Sequence, residues 1–159
     1  MELTHVRIVT AGPFRVAAFS AEGTEPEAPA FEKLKAWAEP RGLLADPAAA
    51  FLFGRNDPPP MPGRTDYGYV YMLTVPDDVD PGDGAEFEVL PRATYLVVRA
   101  RLPEMGAAWE ALYHRAESSG FTVTDHGVEE HLDIPGTVAP EEMVFDLWLP
   151  VDGAEHARA

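Results

Sequence analysis

The sequence predicts an α+β fold. Two strand–helix–strand–strand repeats form a curved antiparallel sheet, with two helices on one face and a groove between the halves. Three observations predict it. Short β-branched and aromatic runs flank two helical stripes. The stripes align at one offset: Phe31-Glu32 and Leu34 with Trp109-Glu110 and Leu112, Ala38-Glu39 with Ala116-Glu117, and Gly42 with Gly120. An acidic, Gly/Pro-rich stretch from Asp77 to Gly84 separates them. The repeats then cover about 1–76 and 85–151 of a single domain, 1–151, and 152–159 is a flexible tail.

Each element has a local reason. His5 to Thr10 and Arg15 to Ser20 are strand-like, with a Gly12-Pro13 turn between them. Thr24-Glu25-Pro26-Glu27 has the spacing of a capping box ahead of a helix. Phe31, Leu34, Trp37 and Ala38 form the apolar face of that helix, and Gly42 closes it. Ala48 to Gly54 reads as a short buried strand. The four prolines between Arg55 and Gly63 enforce a loop. Tyr67 to Val75 is the clearest strand, with Tyr67, Tyr69 and Tyr71 on one side. Past the acidic stretch, Phe87 to Leu90 and Thr94 to Ala100 are strands. Pro103 opens a helix whose Ala108, Trp109, Leu112, Tyr113 and Ala116 share a face. A strand starts at Thr122 and runs on into the 125–133 stretch, and Met143 to Val151 is the last strand.

Composition narrows the function classes. Hydrophobic residues make up 46% of the chain, enough for a packed core. No apolar run is long enough to span a bilayer, and no secretory leader is visible, so the expected location is the cytoplasm. The absence of cysteine removes disulfides, thiol nucleophiles and thiolate-bound zinc. The net charge is −15 and the 12 Lys and Arg are scattered, which argues against a nucleic-acid partner and favours cationic ones. The Asp77–Gly84 stretch lacks the closing bidentate Glu of a helix-flanked calcium loop. No phosphate-binding glycine motif and no Gly-x-Ser-x-Gly elbow occurs, so no cofactor is expected.

The densest chemistry lies in Asp125-His126-Gly127-Val128-Glu129-Glu130-His131-Leu132-Asp133. His126-x-x-Glu129-Glu130-His131 is one residue too long for the inverted zinc motif. On a strand His126 and His131 face opposite ways, so no metal is expected. Strand alternation sends Glu129 and His131 to one side, and Val128, Glu130 and Leu132 to the other. Val128 and Leu132 mark the helix-facing or edge side, which leaves Glu129 facing the groove. Phe53, Tyr69, Tyr71, Tyr95, Trp109 and Trp148 are the aromatic residues placed to line that groove, and aromatic faces attract cations.

The chain resembles the GyrI-like small-molecule-binding family, which includes effector-binding domains of AraC- and MerR-type multidrug regulators. Four blocks carry the resemblance: Phe53-Gly54-Arg55-Asn56-Asp57-Pro58, Tyr67-Gly68-Tyr69, Val128-Glu129-Glu130-His131-Leu132, and Phe145-Asp146-Leu147-Trp148-Leu149-Pro150-Val151. It implies a pocket whose acid is Glu129, with Asn56 and His131 joining the aromatics as ligand contacts. It implies binding of amphipathic aromatic or cationic molecules. It also implies two alternatives. One is hydrolysis of strained cyclopropane-bearing toxins, with Glu129 activating water and Tyr71 or Tyr95 stabilising charge. The other is a protein-interaction role such as gyrase inhibition. The chain departs from the family after Tyr69, where Val70, Tyr71 and Met72 replace the usual Glu and aromatic pair. No helix-turn-helix segment is present, so direct transcription control is not expected.

Overall fold

The computed structural model describes residues 2–44, 50–80, 82 and 84–153. Its elements in chain order are β1 (Arg7–Ala11), β2 (Phe14–Gly23), α1 (Glu27–Ala38), β3 (Leu52–Asn56), β4 (Tyr67–Thr74), β5 (Glu86–Leu90) and β6 (Ala93–Arg101). They continue with α2 (Met105–Ser118), β7 (Thr122–Val123), β8 (Val128–His131) and β9 (Val144–Asp152). The fold is α+β and antiparallel throughout, as the alternation predicts. Two compact units divide it. Phe14–Leu90 is one, and the residues up to Pro13 with those from Pro91 onward are the other.

In the Phe14–Leu90 unit the strands run β3-β4-β2-β5. α1 covers one face. Its Phe31 ring meets Tyr71 edge-on at 5.4 Å, and Trp37 packs on Phe19 and Phe87. The predicted Thr24 cap does not form. The N-cap is Pro26, with no side-chain cap bond, and Glu27 instead takes the Tyr67 hydroxyl at 2.6 Å. Gly42 does adopt the left-handed closing conformation, after a 3-10 turn over Glu39–Arg41. The third strand starts later than expected, at Leu52, and runs on to Asn56 before the prolines stop it. Ala48 and Ala49, the start of the predicted strand, lie outside the described residues.

In the other unit the order is β1-β6-β9-β8, with β7 also on β9. α2 buries Ala108, Leu112 and Ala116 against Leu96, Val98 and Ala100 of β6 and Phe145, Leu147, Leu149 and Val151 of β9. A 3-10 turn over Leu102–Glu104 holds Pro103, and α2 itself begins at Met105. The strand predicted from Thr122 into the 125–133 stretch is two strands, with residues 124–127 between them. Asp152, assigned to the tail in the sequence, ends β9, while residues 154–159 lie outside the described set. β1, which precedes α1 in sequence, pairs with β6, and β5, which follows the acidic stretch, pairs with β2.

The opposite face of this sheet carries a charged clamp. Asp146 of β9 is 4% exposed, and its carboxylate accepts from Arg7 of β1 at 2.8 Å and from Arg99 of β6 at 3.0 and 3.3 Å. Two guanidinium groups on neighbouring strands thus share one buried acid, and that satisfies it.

Candidate functional site

β8 is the strand that presents the acidic stretch. It pairs antiparallel with β9, placing Val128 opposite Trp148, Glu129 opposite Leu147, Glu130 opposite Asp146 and His131 opposite Phe145. Leu147 and Phe145 belong to the core under α2, so Glu129 and His131 point toward α2. The Trp109 indole Nε1–H, from α2, donates to Glu129 Oε2 at 3.1 Å. This corrects the sequence reading of faces. Glu129 lies on the helix-covered side of its sheet, not the bare side. Val128 and Glu130 occupy the other side, and Leu132 just beyond β8 is exposed.

A glycine makes the Trp109 contact fit. A methyl group on Gly127 would lie 2.6 Å from Cζ3 of Trp109 and 2.7 Å from the Trp148 carbonyl oxygen. Only a bare α-carbon admits the indole there. His131 sits behind Glu129, 9% exposed, with its ring 4.7 Å from Phe145. Burial pushes its imidazole down to about 3, so it is neutral at physiological pH.

The far face of the same sheet gathers a second set. Trp148 Nε1–H donates to Glu130 Oε1 at 3.0 Å, and Tyr95 meets Trp148 edge-on at 5.2 Å. Burial raises the Glu130 carboxyl above its ordinary value, and the Trp148 bond and the Arg7 and Arg99 charges oppose it. Burial also raises Tyr95, helped by Asp125. Of the nominated residues in this unit, Trp109, Glu129 and His131 therefore share a face, and Tyr95 and Trp148 lie on the opposite one. The sequence reading treated all five as lining one groove. It missed the Glu130–Trp148 bond, for which no local motif exists.

In the Phe14–Leu90 unit, Tyr69 and Tyr71 share the α1 side, ring centroids 5.0 Å apart. Gly54 lies beneath the Tyr69 ring, where a methyl would come 2.6 Å from Cζ. Phe53 points the other way on β3, 1% exposed between Phe14 and Phe51. Asn56 donates its amide to the Gly68 carbonyl at 3.3 Å and anchors the start of β4. Gly54 and Gly127 were both readable in principle, because glycine inside a strand-like run signals close approach of another group. Among the described residues, no group of three or more His, Asp or Glu is placed to hold a metal. No helix among them is long and apolar enough to cross a membrane.

The Tyr69–Tyr71 pair lies in the Phe14–Leu90 unit, and the Trp109–Glu129 hydrogen bond lies in the other. The model of the GyrI-like small molecule binding domain matches residues 4–152. The chain belongs to this family. Several solved structures share the fold at low identity. The C-terminal domain of EcmrR superposes with a TM-score of 0.62 at 17% identity, covering 94% of this chain and 99% of that one. EcmrR in its DNA complex gives 0.68 at 17% identity over 93% of this chain, which spans only 57% of the EcmrR chain. SAV2435 bound to tetraphenylphosphonium gives 0.54 at 16% identity, covering 96% and 97%. A hydrolase from Listeria innocua gives 0.70 at 13% identity, covering 92% and 91%. At these identities the likeness establishes the GyrI-like fold alone. No curated protein matches the chain.

Proposed function

We propose that this GyrI-like domain binds amphipathic small molecules that combine an aromatic surface with a positive charge, and that Glu129 is their charge partner. One observation carries the reading. Glu129 is a half-buried carboxylate on a helix-covered face, and it accepts a hydrogen bond from the Trp109 indole N–H, so an acid and an aromatic ring stand side by side. Trp109 itself offers a π-face, which attracts cations. The tetraphenylphosphonium complex of SAV2435, a protein of like fold, supports this ligand class. Sequestering or sensing such molecules in the cytoplasm is the role that fits.

The test is a titration of tetraphenylphosphonium followed by tryptophan fluorescence. Glu129→Gln should weaken binding about ten-fold, ~1.4 kcal/mol. Equal affinity of wild type and variant would remove the charge role. The hydrolase alternative loses Tyr95 as a partner for Glu129, because the two occupy opposite faces of one sheet. Ring-opened product after incubation with a cyclopropane-bearing toxin would replace the binding reading with catalysis.

A further inference from the structure

We infer that Gly127 and Trp109 are positioning residues that fix how Glu129 presents its charge. The inference rests on the reading of Glu129 as the ligand-facing acid. Gly127 lies two residues ahead of Glu129, and the Trp109 ring passes over its bare α-carbon. Any side chain at 127 meets two obstacles, the Trp109 ring and the Trp148 carbonyl oxygen. The carbonyl belongs to β9 and is held in the β9–β8 ladder. The ring is the part that yields. When it moves, Nε1 leaves Glu129 Oε2, and the carboxylate loses a donor that helps orient it. Position 127 therefore controls the charge at position 129 through an aromatic side chain on a different element.

The backbone at Gly127 is not in the left-handed region, so alanine meets no conformational penalty of its own there. Gly127→Ala therefore tests the two steric contacts at this position without added backbone strain, and Trp109→Phe separates the ring from the carbonyl. Tetraphenylphosphonium and the neutral triphenylphosphine oxide would be titrated into wild type, Gly127→Ala, Trp109→Phe and Glu129→Gln, with folding checked by circular dichroism. Gly127→Ala and Trp109→Phe should each lower the preference for the phosphonium over the oxide by about three- to ten-fold, the range of one hydrogen bond. A ¹H–¹⁵N spectrum resolves the indoles of the three tryptophans, and Trp109→Phe identifies one of them. In Gly127→Ala that signal should move toward its position in Glu129→Ala, which has no acceptor. A merely structural glycine would leave that signal in place. If Glu129→Gln lowers the preference while Gly127→Ala and Trp109→Phe do not, the positioning role is wrong and the functional reading stands. If Glu129→Gln changes nothing, both are wrong. Should Gly127→Ala fail to fold, Trp109→Phe decides alone.

Discussion

His131 carries the most distinctive acid–base behaviour at the residue scale. Its folded value, about 3, lies far below the ordinary 6.5 because charging it would bury an ion beside Phe145. An unfolded chain takes up this proton below about pH 6.5, while the folded chain refuses it until about pH 3. The contribution to stability is thus complete above 6.5 and is lost as pH falls, by ~1.4 kcal/mol per pH unit. Urea titrations of wild type and His131→Phe should show the wild-type advantage shrinking between pH 6.5 and 4. A constant difference would mean that the imidazole is free to charge. Glu130, raised by burial, acts with the opposite sign, and the paired comparison cancels it. At this scale much was legible. Strand alternation separates Glu129 and His131 from Glu130, and the structure does the same. Which side α2 covers was not legible. Both sides carry apolar neighbours, and the group that satisfies Glu129 comes from a helix twenty residues upstream.

At the scale of elements, α1 shows how a sequence motif can be right about place and wrong about mechanism. Thr24 and Glu27 have capping-box spacing, and a helix does begin there. The helix is not held by that box. Glu27 reaches across to β4 and accepts from the Tyr67 hydroxyl with both oxygens, at 2.6 and 2.9 Å. Thr24→Ala should therefore change stability by less than about 0.5 kcal/mol. Glu27→Ala and Tyr67→Phe should each cost about 1 kcal/mol, and their combination clearly less than the sum. A double-mutant cycle by thermal melting checks this, and additive losses would refute it. Burial, with the Glu27 bond behind it, lifts Tyr67 to about 12, so this part of the stability fades as pH rises above 10. The strand boundaries have a similar lesson. The 122–131 run reads as one strand in outline, yet the segment carrying Asp125 and Gly127, with Trp109 over the glycine, breaks it into β7 and β8. Propensity has no access to a ring arriving from another element.

For the whole molecule, the excess of 27 acidic over 12 basic residues sets a field that favours cations over anions. The association rate of tetraphenylphosphonium should fall about ten-fold as ionic strength rises from about 0.01 to 0.15 M, because the Debye length shortens from about 30 to 8 Å. Stopped-flow fluorescence measures this. A flat salt dependence would confine the acids to keeping the protein soluble. The fold class and the succession of elements were readable from local pattern. Strand partners were not, because hydrogen-bond pairing between distant segments leaves no local trace. The acidic stretch after Asp77 looked like a divider, yet it lies inside the Phe14–Leu90 unit, and the change of unit falls at Pro13 and again at Leu90.

The pairing of β1 bears on the order in which the chain leaves the ribosome. Arg7 to Ala11 emerge well before their partners, Val97 to Ala93, and the Asp146 that Arg7 grips comes later still. Synthesis proceeds at roughly 5–20 residues per second, so this strand waits for seconds without its partner strand, its backbone bonded to water. By contrast, β2 through β5 have all their mutual partners once Leu90 has appeared. Among the described strands β1 is made before the others yet pairs only with the later β6, and its Arg7, Thr10 and flanking Gly12-Pro13 keep a waiting β-strand polar and interrupted.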